Sequence, residues 1–264
     1  MTHTLQFAPQ VSVKSAQECA LYHTFQFPDG TLARASWDLR DCIDDYLGHV
    51  DLAGKSVLEI GPASGFLTVA MEQRGGKIVC IENSMEQAWD NVPRVDIDSE
   101  GWRRSRQLAS PLLYKSWWYS QKLFGCSAKV VYCGVSGLRD IAKLIKFDVC
   151  LIGGVLQHIQ YPFDLLWSAS RIANTIIVTE RWLPEVESEG EATIRFVPAP
   201  TNGYLDTWFY LSSTAVTNAL TIFGFEQVAS RRFTARFWDM KDEDITKDKF
   251  SEREHYNKVF VRRT

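Results

Sequence analysis

The chain has 264 residues, 45% hydrophobic and 12% aromatic, enough apolar mass to bury a full core and too much for a disordered or collagen-like chain. Its 29 basic side chains against 32 acidic ones leave a formal net charge of −3, which disfavours a general nucleic-acid binder. The length fits one large domain or two small ones.

Residues 1–20 show no period and read as a loose arm or a short helix. LYHTFQFPDGTL follows, with Pro28-Asp29-Gly30 between alternating apolar runs, which predicts a hairpin. SWDLRDCIDDYLGHV, from Ser36, sets Trp37, Leu39, Ile43, Tyr46, Leu47 and Val50 at near-helical spacing and predicts a helix. SVLEIG (56–61) reads as a short buried strand, and FLTVAMEQRGG as a helix closed by Gly75-Gly76. KIVCIE (77–82) is the second strand, AKVVYCG (128–134) the third, DIAKLIK (140–146) a helix and FDVCLIGG (147–154) the fourth strand. PFDLLWSASRIA is a helix with Pro162 in its first turn, and NTIIVTE (174–180) is the fifth strand. Continuous Val/Ile runs alternating with helices predict a parallel sheet covered on both faces. FEQVAS (225–230) and NKVFVRR (257–263) are two more strands, and the charged run KDEDITKDKFSERE between them reads as a solvated loop.

This division expects a cap segment over 1–50 and a main domain over 51–264, with insertions at about 83–127 and 181–218. The first insertion holds RRSRQ and an aromatic cluster; the second is rich in Pro, Gly and aromatics. Cys19, Cys42, Cys80, Cys126, Cys133 and Cys150 include no C-x-x-C pair, so no metal site is expected and the thiols read as small hydrophobes of a reducing compartment. MTHTLQFAPQVSVK lacks the pattern of a secretory leader, and no apolar run reaches the ~18 residues of a membrane span. The expected location is cytoplasmic.

The strongest signal is VLEIGPASGF (57–66), a Gly-rich turn that leaves a parallel strand and enters a helix. Such a turn lets a ligand approach the backbone and meet its amides. A dinucleotide fingerprint needs G-x-G-x-x-G, and Gly61, Ala63 and Phe66 at those places fail it twice. The turn instead reads E-x-G-x-A-x-G, with Glu59, Gly61, Ala63 and Gly65. The second strand ends in Glu82, about 20 residues on, where an acid can accept both ribose hydroxyls of a nucleoside.

These residues resemble the first motif of the class I S-adenosylmethionine-dependent methyltransferases, where the turn cradles the amino-acid end of the cofactor. YHTFQFPDGT, SWDLR, GKSVLEIGPASGF, WDNVP, GGVLQHIQYPF, GYLDTWFYLSS and FGF extend the similarity over about residues 20–230, to the group that includes the tRNA wobble-uridine carboxymethyltransferases. The resemblance implies a Rossmann-like α/β fold, a seven-stranded mostly parallel sheet with an antiparallel C-terminal hairpin and helices on both faces. It implies cofactor contacts from Glu59, Gly61, Pro62, Ala63, Ser64, Gly65, Glu82 and Asn83. Gly134 and Val135, after the third strand, would meet the adenine; Gly153 and Gly154 would pass near the sulfonium. Trp37 would face that cation or serve as a core tryptophan. The carboxymethyl enzymes carry V-L-Y-H after the fourth strand, whereas this chain has Val155-Leu156-Gln157-His158. Their basic residue before the tryptophan motif also has no match in LYHTFQFPDG. Both departures favour ordinary S-adenosylmethionine and plain methyl transfer.

Methyl transfer needs a general base only when the acceptor loses a proton. The candidates are His158, His23 and Glu180, each with a structural alternative: a fold element, a hydrogen-bonded histidine, a partner of Arg181. Tyr22, Gln157, Trp118, Tyr119, Trp182 and Arg195, with Trp208 and Tyr210, are candidates to line an acceptor site, or to form the core of the insertions. His3, His49 and His255 read as surface residues. Arg103, Arg104 and Arg106 read as a solvated helix face or as phosphate contacts. Three functions remain open: a methyltransferase acting on a small-molecule acceptor (sugar, nucleotide conjugate or secondary metabolite), a tRNA-modifying methyl or carboxymethyl transferase, and a non-catalytic cofactor-binding protein.

Overall fold

The computed structural model describes residues 5–84, 90–134, 137–188, 190–238 and 250–263, apart from the side chains at 99, 102, 103 and 106–108. The N-terminal segment holds one 3-10 turn, Ala16–Glu18, then the antiparallel pair β1 (Phe25–Gln26) and β2 (Leu32–Ala33). The expected hairpin forms because Asp29 accepts the Thr31 amide (2.8 Å) and Gly30 takes a positive φ of 86°.

The helix expected from residue 36 is a correction. Trp37 and Asp38 form a strand, β3 (Trp37–Asp38), and only α1 (Ile43–Tyr46) is helical. Asp38 binds the Arg40 amide at 3.2 Å and its guanidinium at 2.8 and 2.7 Å, which bends the chain before a helix can start. Strand pairing further along the chain overrides the local period.

The alternation predicted for the middle of the chain is present: β4 (Ser56–Ile60), α2 (Phe66–Gln73), β5 (Lys77–Glu82), α3 (Ser99–Leu123), β6 (Lys129–Tyr132), α4 (Leu138–Leu144), β7 (Phe147–Gly153), α5 (Pro162–Ile172) and β8 (Ala173–Arg181). A small hairpin, β9 (Ile194–Phe196) with β10 (Phe209–Leu211), precedes α6 (Ser213–Ile222) and the long strands β11 (Phe225–Phe237) and β12 (Ser251–Arg262). SERE, read as part of a charged loop, is therefore strand, because β11 and β12 pair out to Phe237 opposite Ser251. Residues 241–249 of that run lie outside the described residues.

One sheet of eight strands runs in the order β3-β11-β12-β8-β7-β4-β5-β6. Strands β6, β5, β4, β7 and β8 are parallel, and the C-terminal hairpin is antiparallel. The strand beyond the expected seven is β3, which adds two residues to the edge of β11. Successive side chains alternate between two apolar clusters. Leu58, Ile152 and Phe260 meet α4, α5 and α6 on one face, while Val57, Leu151 and Ile177 meet α1, α2 and α3 on the other. Among the described residues no helix is long and apolar enough to cross a membrane.

Candidate functional site

Strand order reverses between β4 and β7, with β5 and β6 on one side and β8 on the other. In such sheets the crevice beyond the C-terminal strand ends is the ligand site. The Gly-rich turn leaves β4 there, with φ of +70° at Gly61, +49° at Ala63 and +86° at Gly65. A left-handed alanine is uncommon; around it the Gly61 amide donates to the Ile81 carbonyl at 2.9 Å and the Gly65 amide to the Pro62 carbonyl at 2.8 Å. The surroundings fix this shape. A Cβ on Gly65 would stand 3.0 Å from Trp117 Cδ1, and one on Gly61 3.1 Å from Val155 Cγ2. Pro62 and Ser64 are buried. The Ser64 hydroxyl accepts the His23 amide at 3.1 Å, and its carbonyl accepts Ser120 Oγ at 3.0 Å.

Two carboxyls flank the turn. Glu59, 1% exposed, accepts Thr68 Oγ1 at 2.5 Å and Cys80 Sγ at 3.3 Å through Oε2. Its Oε1 is buried with no hydrogen-bond partner, and burial pushes the group up to about 7. Glu82, at the end of β5, accepts the Asn83 amide at 2.8 Å. Burial lifts it too to about 7, against the pull of the Asn83 and Ala63 amides. Asn83 is held in turn by Tyr114, whose hydroxyl donates to its carbonyl at 2.6 Å.

After β6, Gly134 is buried and its carbonyl accepts the Gly137 amide at 2.8 Å. Val135 lies outside the described residues, as do His3 and the side chains of Arg103 and Arg106; Arg104 is exposed. Trp118 and Tyr119 sit on this β6 side. Trp118 is buried against Trp117, with Nε1 donating to Tyr132 at 3.1 Å, and Tyr119 meets Phe27 edge-on.

Beyond β7 the glycines make room for a phenol. A Cβ on Gly153 would lie 2.7 Å from the Tyr46 hydroxyl oxygen, and Gly154 has φ +66°. The Tyr46 carbonyl is clamped by Thr179 Oγ1 at 2.7 Å and Asn257 Nδ2 at 2.8 Å. Glu180 Oε1 accepts the Val155 and Leu156 amides at 2.9 and 2.8 Å, so it holds the loop after β7. Burial pushes Glu180 up to about 7 as well. His158 Nδ1 faces the Asp206 carbonyl, an acceptor only, so Nδ1 carries the proton and Nε2 is the basic nitrogen. That Nε2 lies 3.2 Å from the Gln157 amide nitrogen, and the Gln157 carbonyl accepts the Trp208 amide at 2.8 Å. The second insertion thus closes over this loop, with Trp208 Nε1 bonded to the Asp90 carbonyl.

His23 is buried beside the turn, its Nδ1 3.3 Å from Ser64 Oγ. Burial alone drives it down to about 3, so it is neutral. Trp37 donates to the Tyr22 hydroxyl at 3.0 Å and stacks near Phe237 and His255. His255, read as a surface residue, is 5% exposed; the alternation of β12 turns it onto the covered face beside Tyr46 and Phe233. His49 is exposed and pairs with Asp45 at 2.8 Å. Trp182 packs toward Tyr256 in the cluster under α5 and α6, beneath the Arg232 guanidinium. Arg195 is exposed, 3.9 Å from Glu185.

The predicted acceptor residues are therefore not brought together. Tyr22 and Gln157 stand on the Gly153 side, Trp118 and Tyr119 on the β6 side, and Trp182 in the other face cluster. Sequence reasoning passed over Asp206, named Tyr46 only as a position in a helical period and read His255 as a surface residue. The Gly153-Gly154 pair signals a close approach at that point, but not by which side chain.

No protein-family model matches the sequence, and no curated protein matches it. Solved structures do. The N-terminal domain of EvdMO1, crystallised in the presence of S-adenosylhomocysteine and D-fucose, is 19% identical with a TM-score of 0.58 over 94% of each chain. The same domain with S-adenosylhomocysteine bound gives 20% and 0.56, again over 94% of each chain. The Burkholderia thailandensis 1,6-didemethyltoxoflavin-N1-methyltransferase, with its toxoflavin precursor and S-adenosylhomocysteine bound, is 14% identical with a TM-score of 0.50, over 86% of this chain and 78% of that one. At these identities the likeness establishes the fold, the Rossmann-like fold of class I methyltransferases.

Proposed function

We propose that a chain with this fold and this turn is an S-adenosylmethionine-dependent methyltransferase acting on a small-molecule acceptor: a sugar, a nucleotide conjugate or a secondary metabolite. The observation that carries the reading is the left-handed turn at Gly61, Ala63 and Gly65 with the Glu82 carboxylate at the end of the neighbouring strand. The residues fit such a nucleoside. Glu59 Oε1, buried and without a partner, suits the ammonium of the amino-acid end. Glu82 and Asn83 would take the ribose hydroxyls, the segment at Gly134 the adenine, and Gly153-Gly154 the sulfur end beside Tyr46. When bound, the cofactor supplies a methyl group on positively charged sulfur.

The chain's own part is alignment and exclusion of water. Glu180 holds the Val155-Leu156 loop, His23 locks the turn through Ser64, and the second insertion covers Gln157 and His158. If the acceptor loses a proton, His158 Nε2 is the candidate base, and the Gln157 amide that it meets at 3.2 Å would have to give way to the acceptor. EvdMO1 crystallised with D-fucose and the toxoflavin methyltransferase with its precursor support a small acceptor for this fold.

Calorimetry with S-adenosylmethionine and S-adenosylhomocysteine tests the reading. Binding is expected, and Glu82→Ala should weaken it on the order of 100-fold, the loss of two hydrogen bonds to a charged acceptor. No binding, or undiminished binding in that variant, would overturn it. Transfer of a labelled methyl group to bulk tRNA would replace the small acceptor with RNA.

A further inference from the structure

We propose that Arg181 and Arg253 form an anion subsite beside Tyr46, and that the methyl acceptor is held there by a carboxylate or phosphate group. This deepens the function proposed above and rests on it for the word acceptor; the guanidinium pair is independent of it.

Strand register sets the placement. Gly153 pairs with Thr179 across β7 and β8, and Arg181 lies two residues farther along β8, about 7 Å on at strand spacing. Two residues apart means the same face, the one on which Thr179 meets the Tyr46 carbonyl. Across the next pairing Arg181 opposes His255 of β12, so those side chains share a face. Arg253, two residues from His255, shares it as well. Arg181 therefore stands one strand over from Gly153 and Arg253 two, both just beyond it on the Tyr46 side.

The electrostatics are those of a site awaiting a counter-ion. Arg40, Arg74, Arg232 and Arg236 meet carboxylates at 2.7, 2.7, 2.6 and 2.8 Å. Among the described residues Arg181 and Arg253 form no salt bridge, and Arg181 Nε is buried with no hydrogen-bond partner. Leaving such a donor bare is costly. Burial and the neighbouring charge of Arg253 both lower the proton affinity of Arg181, against weaker pulls from Tyr210, Glu185 and Tyr204. Glu185 is the one carboxylate among these neighbours, and it is exposed and set 3.9 Å from Arg195. Arg253 is steadied over the Phe237 ring at 5.3 Å, and Phe237 in turn packs on Trp37. Two guanidiniums near enough to feel each other's charge, with no salt bridge to either among the described residues, suit the oxygens of a carboxylate or phosphate.

The test titrates inorganic phosphate and, separately, benzoate into the full chain by calorimetry in low-salt buffer, with and without S-adenosylhomocysteine. At least one anion should bind with about millimolar affinity. Arg181→Gln and Arg253→Gln should each weaken it about tenfold, with Arg181→Lys retaining part of it and the melting temperature of the variants not lowered. Preference for phosphate points to a phosphorylated acceptor and preference for benzoate to a carboxylate; either supports the subsite. If Arg181→Gln fails to fold, Arg253→Gln on its own decides. The subsite is refuted if neither anion binds up to roughly tens of millimolar, or if the folded variants bind as the wild type does. A chain that binds phosphate but not S-adenosylhomocysteine would refute the cofactor reading and leave the guanidinium pair standing.

Discussion

Replacing Glu59 with Gln separates what this carboxyl costs the fold from what it does for a ligand. Glu59 is 1% exposed, and burial moves it from 4.5 to about 7. A carboxyl whose folded value exceeds its unfolded one takes up a proton on folding between those two pH values. Its destabilising effect is absent below about 4.5 and complete above about 7. At roughly 1.36 kcal/mol for each tenfold change in proton affinity, the gap comes to about 3 kcal/mol. A neutral amide still offers Thr68 an acceptor and carries no charge to bury. The ligand-free Glu59→Gln chain should therefore gain about 1 to 3 kcal/mol over the wild type at pH 8 and nothing near pH 4.5.

Urea denaturation at both pH values reads this difference. His23 and His255, lowered by burial to about 3 and 4, act the other way. Their contribution is present above the ordinary value of 6.5 and is lost as pH falls below it. They are common to both chains and cancel in the comparison. Affinity for S-adenosylhomocysteine should fall by about tenfold or more, because an amide oxygen offers the ammonium a neutral acceptor in place of a charged one. Equal stability at pH 8, or an unchanged affinity, would refute the assignment of Glu59 as a carboxylate kept for a cation at a cost to the fold.

Gly153→Ala should destabilise the chain by about 1 to 3 kcal/mol, as overpacking does, since its Cβ would stand 2.7 Å from the Tyr46 oxygen. Tyr46→Phe should recover part of that in urea denaturation, because the next contacts are 3.1 and 3.3 Å; additive effects would mean the two residues do not touch. Glu180→Gln keeps an acceptor for the Val155 and Leu156 amides, so single-turnover methyl transfer should fall less than about tenfold. A loss on the order of 10² to 10⁴ would make Glu180 the general base instead. With Glu82 at about 7 and its ionised form the better acceptor, affinity for S-adenosylhomocysteine should rise as pH goes from about 6 to 8. Glu82→Gln should remove its part of that rise in calorimetry and leave the part due to Glu59, which burial also lifts to about 7.

What was legible in the sequence is what the chain builds from neighbours along itself. Strands buried on both faces read as unbroken Val/Ile runs, and β5 has the bounds expected for it, Lys77–Glu82. The Gly61–Gly65 turn was legible for the same reason: positive φ is a local demand that glycine answers, and Glu82 follows at the end of the next strand. Where partners are distant, local pattern misled. Trp37 fits a helical period yet pairs with Phe237, and Ser251–Glu254 look like loop until β11 is known to run to Phe237.

The side proposed above for the acceptor is made almost wholly of distant partnerships. Tyr46 is held by Thr179 and Asn257, His158 by Asp206, and Arg181 stands opposite His255. No spacing within one segment encodes these pairs; only the strand order brings them together. The proposed cofactor half, by contrast, needs one turn and one acid on adjacent strands. That half can persist while most of the sequence changes, in keeping with a shared fold at 19% identity. The acceptor half depends on side chains at β7 and β8, on β12 and on the second insertion, which can be exchanged without disturbing β4 or β5. The proposed acceptor half therefore turns on the charges of those elements: among the described residues Arg181 and Arg253 form no salt bridge, whereas Lys258 and Arg262, also on β12, are met by side-chain and backbone oxygens.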